Sequence, residues 1–185
     1  MTASLEYRCR TCNEIHTGVP AWHFDAPVQA LAISQEERVT RVELTADDCV
    51  IDGREFYLKG LLELPVHGIT QPFVWGVWLS VSEESHGRFV ALFQDENRRA
   101  GESFFGWLCN SLPGYPETQL LKTRLHVREY PMRPWVELEP TDHPLAVDQR
   151  EGLSQQRAIA IAEALRHPPG SSGQRNETWR SSCSE

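Results

Sequence analysis

Apolar and polar positions alternate most clearly in the middle of the chain. In "CVIDGREFYLKGLLELPV", Phe56, Leu58, Gly60, Leu62 and Leu64 alternate with Tyr57, Lys59, Leu61 and Glu63. A period of two places the first set on one face of a β-strand. Asp52-Gly53 stands just before it and supplies the residues a type I′ hairpin turn requires. In "PFVWGVWLSV", Phe73, Trp75, Val77, Leu79 and Val81 share one face. Val74, Gly76 and Trp78 share the other, so this strand is expected to be covered on both sides. "SFFGWLCNSL" reads as a further strand closed by the turn "PGYP". "LLKTRLHVRE" sets Leu121, Thr123, Leu125 and Val127 against Lys122, Arg124, His126 and Arg128, a strand with one solvated face. "WVELEP" is a short strand bordered by proline.

Helical signals are fewer. Ser34-Gln-Glu-Glu37 has capping-box spacing and predicts a short helix through about Thr40. Ser82 caps a second helix, with Glu83 and Glu84 in the first turn and Phe89, Leu92 and Phe93 on the apolar face. Ser154 caps a third, in which Ala158, Ile161, Ala162 and Leu165 recur at helical spacing before Pro168 ends it. Residues 1–25 read as irregular. Residues 168–185, "PPGSSGQRNETWRSSCSE", are polar and aperiodic and read as a disordered tail carrying Trp179 and Cys183. The expected fold class is α+β: a single domain over 1–167, mostly one antiparallel sheet with two or three helices packed on it and an irregular, cysteine-containing N-terminus.

Composition narrows the function. The 185 residues are 40% hydrophobic and 24% charged, a globular profile. A net charge of −8 argues against nucleic acid, whose affinity comes mostly from Lys and Arg neutralising phosphates. It suits a basic protein partner, or simply a well-solvated surface. No apolar run approaches the ~20 residues of a membrane helix. The start of the chain has no apolar core of a secretory signal. A cytoplasmic location is therefore expected, and there the five cysteines (Cys9, Cys12, Cys49, Cys109 and Cys183) would stay reduced.

"CRTCNEIH" is the most specific chemical signal. Two thiolates separated by two residues can grip one ion through a single tight turn, and zinc prefers thiolate and imidazole ligands in a tetrahedron. The position after the second cysteine needs left-handed backbone. Asn13 occupies it, and Asn tolerates that conformation best after Gly. His16 can swing back as a third ligand. Cys49 is the expected fourth, with Cys109, His23 and His143 in reserve. Reduced structural thiols are the alternative. A thioredoxin-like redox pair is disfavoured, because that motif opens a helix and Arg10-Thr11 lead into a loop.

Two other groups are candidates. Trp107, Asn110 and Tyr115 could line a pocket at a strand end, although aromatics fill any core. Asp142 beside His143 could orient an imidazole for acid–base work, although adjacent residues on extended backbone point apart. There is no nucleophile elbow, P-loop, H-E-x-x-H or G-x-G-x-x-G.

The motifs "CRTCNEIH", "FDAP", "CVIDG", "LELPVHG", "WGVWLSVSEE", "FFGWLCNSLPGYPET", "LKTRLHV" and "ELEPTDHPLAVDQREGLS" follow in an order that resembles a bacterial family, domain of unknown function 2199, from about Tyr7 to His167. The resemblance brings no activity with it. It implies that the Cys-x-x-Cys and its histidine are a family feature, with Asn13 standing where members tend to have Gly. The resulting expectation is a cytoplasmic binding or regulatory module with a structural zinc at Cys9, Cys12, His16 and Cys49. The alternatives are a small zinc-dependent or acid–base enzyme using Asp142 and His143, and an immunity protein that neutralises a bacterial toxin.

Overall fold

The computed structural model describes residues 4–167; the tail expected over 168–185 lies outside them. The elements in chain order are β1 (Glu6–Arg8), β2 (Ile15–Thr17), β3 (Ala21–His23), α1 (Val28–Leu31), α2 (Gln35–Arg41), β4 (Val42–Leu44) and β5 (Asp48–Ile51). Then come β6 (Glu55–Val66), β7 (Ile69–Val81), α3 (Glu83–Phe93), β8 (Ser103–Leu108) and β9 (Lys122–His126). β10 (Trp135–Leu138), α4 (Pro144–Glu151) and α5 (Gln155–Arg166) complete the described chain.

The α+β class stands, but the expected open antiparallel sheet does not. β6, β7, β8, β9 and β10 pair in succession, and β10 then pairs back onto β6. The result is a five-stranded closed barrel with four antiparallel seams and one parallel seam, where Trp135 lies opposite Leu61. Closure follows from strand length. β6 and β7 are 12 and 13 residues long, so each has room for two partners along its outer edge. β7 takes β3 at Val74–Gly76 and β8 at Leu79–Ser80. β6 takes β5 at Glu55–Leu58 and β10 at Leu61, and β4 extends β5. Asp52 and Gly53 both have positive φ, as the hairpin signal required.

The alternation read from the sequence fixes what fills the barrel. Leu58, Leu62, Leu64, Phe73, Trp75, Val77 and Leu79 point inward and join Leu108, Leu125 and Val136 in one core. Gly60 sits in that inward row because the wall opposite comes close. A Cβ there would lie 2.4 Å from Leu125 Cδ1 and 2.7 Å from Val136 Cγ2. Trp78 faces outward yet is fully buried, packed with Cys49, Tyr57, Cys109 and Ala30 in a second cluster. Covering a side chain of that size contributes about 4–6 kcal/mol. β7 is thus covered on both faces, as its pattern predicts.

All three expected helices form with their expected caps. Ser34, Ser82 and Ser154 accept hydrogen bonds from the backbone N–H of Glu37, Ser85 and Arg157. Two further helices bring the count in the described residues to five. α1 is a single turn. α4 begins with Pro144 at its first position, where a missing N–H costs nothing, and buries Leu145 and Ala146. The N-terminus, expected to be irregular, is instead a β1–β2 hairpin followed by β3 against β7. These strands have three residues each, too few for periodicity to register. Leu5 and Tyr7 from the hairpin join the same core as Ala158, Ile161 and Leu165 of α5, so the two ends of the described chain pack together.

Candidate metal centre

The β1–β2 hairpin presents the cysteine turn. Tyr7 is opposite His16 in its register. The Cys9 N–H donates to the Glu14 carbonyl at 2.8 Å, and the Asn13 N–H donates back to the Cys9 carbonyl at 3.0 Å. Asn13 has φ 61°, the left-handed conformation its position demanded. The turn is tied to α5 by the Arg10 N–H, which donates to Glu163 Oε1 at 2.7 Å.

Four donor side chains meet here: Cys9, Cys12, His16 and His167, with their ligand atoms all within 4.8 Å of one another. Cys12 Sγ is 3.4 Å from His16 Nε2. Zinc–sulfur and zinc–nitrogen bonds of ~2.3 and ~2.0–2.1 Å give tetrahedral edges of roughly 3.3–3.8 Å, so the spacing suits one small ion. His167 Nε2 is buried and has no hydrogen-bond partner among the described residues. An imidazole nitrogen without a hydrogen-bond partner beside two thiols is a donor of the type a soft-ligand metal site uses.

The electrostatics favour a thiolate at Cys9. Burial opposes its charge, but hydrogen bonds from the backbone N–H groups of Cys12 and Thr11 and from the Cys12 thiol outweigh burial, and its pKa is lowered. Thr11 N lies 3.4 Å from the sulfur. At Cys12 the Glu14 N–H favours the thiolate, yet burial and the neighbouring Cys9 prevail and push its pKa up. The pair therefore loses its first proton from Cys9.

Cys49 does not reach this group. It is fully buried on β5 in the second cluster, where burial first, and Asp48 and Glu55 after it, push its thiol up to about 11. Cys109 shares that cluster, and burial pushes it up to about 12. The fourth candidate donor is His167, the C-cap of α5. Sequence reading missed it because nothing local marks a helix-terminal histidine; only the docking of α5 on the hairpin brings it in. His23 lies at the end of β3, outside the four-donor group.

The remaining candidates separate. His143 is the N-cap of α4: its Nδ1 accepts from the Leu145 N–H at 3.2 Å, and its Nε2 lies 3.1 Å from the Glu117 carbonyl and donates to it. With both ring nitrogens engaged by backbone, it has no free lone pair for acid–base work, and Asp142 is exposed beside it. Asn110 is buried and accepts from the Trp78 N–H at 2.7 Å. Trp107 instead faces outward, edge-on to Phe105. Tyr115 is covered by the guanidinium of Arg157.

No helix among the described residues is long and apolar enough to cross a membrane. Comparison with curated proteins and with solved structures returned no match. A family model described as "uncharacterized protein conserved in bacteria", domain of unknown function 2199, matches residues 8–153, and with that span covered the chain belongs to this family.

Proposed function

We propose that this protein is a binding or regulatory module whose cysteine turn and α5 terminus together hold one structural zinc ion. The observation that carries the reading is the convergence of two thiols and two imidazoles from opposite ends of the described chain. That donor set is the kind zinc prefers, and four protein ligands leave no open position for substrate. The ion would then pin the β1–β2 hairpin to α5. A net charge of −8 favours a basic protein surface as partner and disfavours nucleic acid. A reducing cytoplasm would keep the thiols available to the metal.

Elemental analysis of protein purified without chelator tests the reading. About one zinc per chain is expected, and stripping it should lower the melting temperature. Metal-free protein with an unchanged melting temperature contradicts it.

A further inference from the structure

A second convergence of polar side chains lies on the outer wall of the barrel and shares no residue with the cysteine turn. In the β6–β7 ladder Lys59 is opposite Trp78 and Leu61 is opposite Gly76. These four residues face outward, because Leu58, Leu62, Trp75 and Val77 fill the interior. Three segments are fastened to these two rows by backbone hydrogen bonds. The Lys59 N–H donates to the Asp47 carbonyl at 2.8 Å, the Leu61 N–H to the Pro134 carbonyl at 2.9 Å, and the Phe24 N–H to the Gly76 carbonyl at 2.9 Å. Asp47, Arg133 and the pair His23 and Asp25 are thereby brought to the rim of one patch centred on Lys59. Five titratable residues from four separate stretches of sequence are placed there by their backbones.

The patch is built closely. The His23 ring lies directly against the β7 backbone, where a Cβ on Gly76 would be 2.0 Å from its Nδ1; only glycine admits it. Lys59 Nζ sits 5.2 Å from the centre of the Trp78 ring, half-buried, and forms no ion pair among the described residues. Arg133 is paired with Asp47 at 2.5 Å, which commits that carboxylate. Lys59 and Arg133 thus stand on one patch, with Asp25 as its second carboxylate. Burial and then Arg133 hold the Lys59 ammonium below the usual lysine range, although Asp25 and Asp47 pull the other way. Burial, then Lys59 and Arg133, lower His23 against the pull of Asp25. A bound anion with oxygen acceptors would supply the partner that Lys59 lacks among the described residues.

We infer that the outward patch formed by Lys59, Arg133 and His23 is a binding site for a small oxyanion, a phosphate or a carboxylate. The site does not depend on the zinc reading. Calorimetric titration of the full-length protein at low ionic strength tests it, with inorganic phosphate in one arm and malonate in the other. Saturable binding of at least one anion is expected, and the arm that responds identifies the source of the oxygens. Lys59→Gln and Arg133→Gln should each weaken it about tenfold or more, the scale of a lost charge-assisted hydrogen bond. Lys122→Gln, on β9, should leave it unchanged. Arg133 is exposed, so its variant keeps the test open if Lys59→Gln fails to fold. Absence of saturable binding of either anion up to about 10 mM overturns the inference. So does binding that both variants leave intact.

Discussion

Two pairs of cysteines occupy opposite settings in this molecule. Cys9 and Cys12 stand in a tight turn beside two imidazoles, with backbone N–H groups aimed at sulfur. Cys49 and Cys109 lie buried among Trp78, Tyr57 and Ala30, outside any group of metal-binding side chains among the described residues. The first environment lowers a thiol pKa, and the second raises both of its thiols. Sulfur content is equal in the two places. What separates a candidate metal site from ordinary core packing is the presence of imidazole and of donors that stabilise a thiolate.

Matched serine substitutions should give the largest contrast. Cys9→Ser is expected to abolish zinc binding and to lower the melting temperature by roughly 6–12 °C, the equivalent of about 3 kcal/mol in a chain of this size. Cys49→Ser should leave about one zinc per chain. Its cost is instead about 1–3 kcal/mol, from a hydroxyl placed in an apolar pocket. Zinc loss in the Cys49 variant, read by elemental analysis, would collapse the distinction between the two pairs.

Thiol reactivity sharpens the same contrast. In metal-free folded protein at pH 8, iodoacetamide should label the cysteine turn, where Cys9 ionises first and Cys12 is half-buried, while Cys49 and Cys109 resist until the chain unfolds; peptide mass mapping reads this. The sign of the pH effect follows. Both buried thiols have folded pKa values raised above the ordinary 9.0, to about 11 and about 12. Their contribution to stability is complete below about pH 9, where the thiols are neutral in both states. It is lost as pH climbs through those folded values, because only the unfolded chain ionises early. Melting curves from pH 8 to 11 should fall more steeply for the wild type than for a Cys49→Ala, Cys109→Ala double variant.

The smallest effect expected is at the turn itself. Asn13→Ala should cost about 1 kcal/mol through its positive φ, whereas Asn13→Gly should change stability by only a few tenths. Chemical denaturation distinguishes the two. Equal costs would mean that the left-handed turn is not what holds Cys9 and Cys12 together.

Much of this fold is legible locally, because its signals are local. The alternation in β6 and β7 predicts which side chains enter the core, and three serine caps mark three helices. Barrel closure is not legible: it depends on β10 returning to β6, a pairing between Trp135 and Leu61 that no periodicity encodes. α4 hides behind "TDHP", where His143 looks like a catalytic candidate and serves as a helix cap. The candidate site divides in the same way. Cys9, Cys12 and His16 lie within one turn and are readable from spacing. The fourth donor is set by tertiary docking, so sequence separation misleads: Cys49 is nearer in the chain, yet His167 is the residue that arrives.

The most direct test of the zinc account is X-ray absorption at the zinc edge of the purified protein. The account predicts a shell of two sulfurs at about 2.3 Å and two imidazole nitrogens at about 2.0–2.1 Å, with one nitrogen lost in His167→Ala. A shell of three or more sulfurs, or one unchanged by His167→Ala, would contradict it.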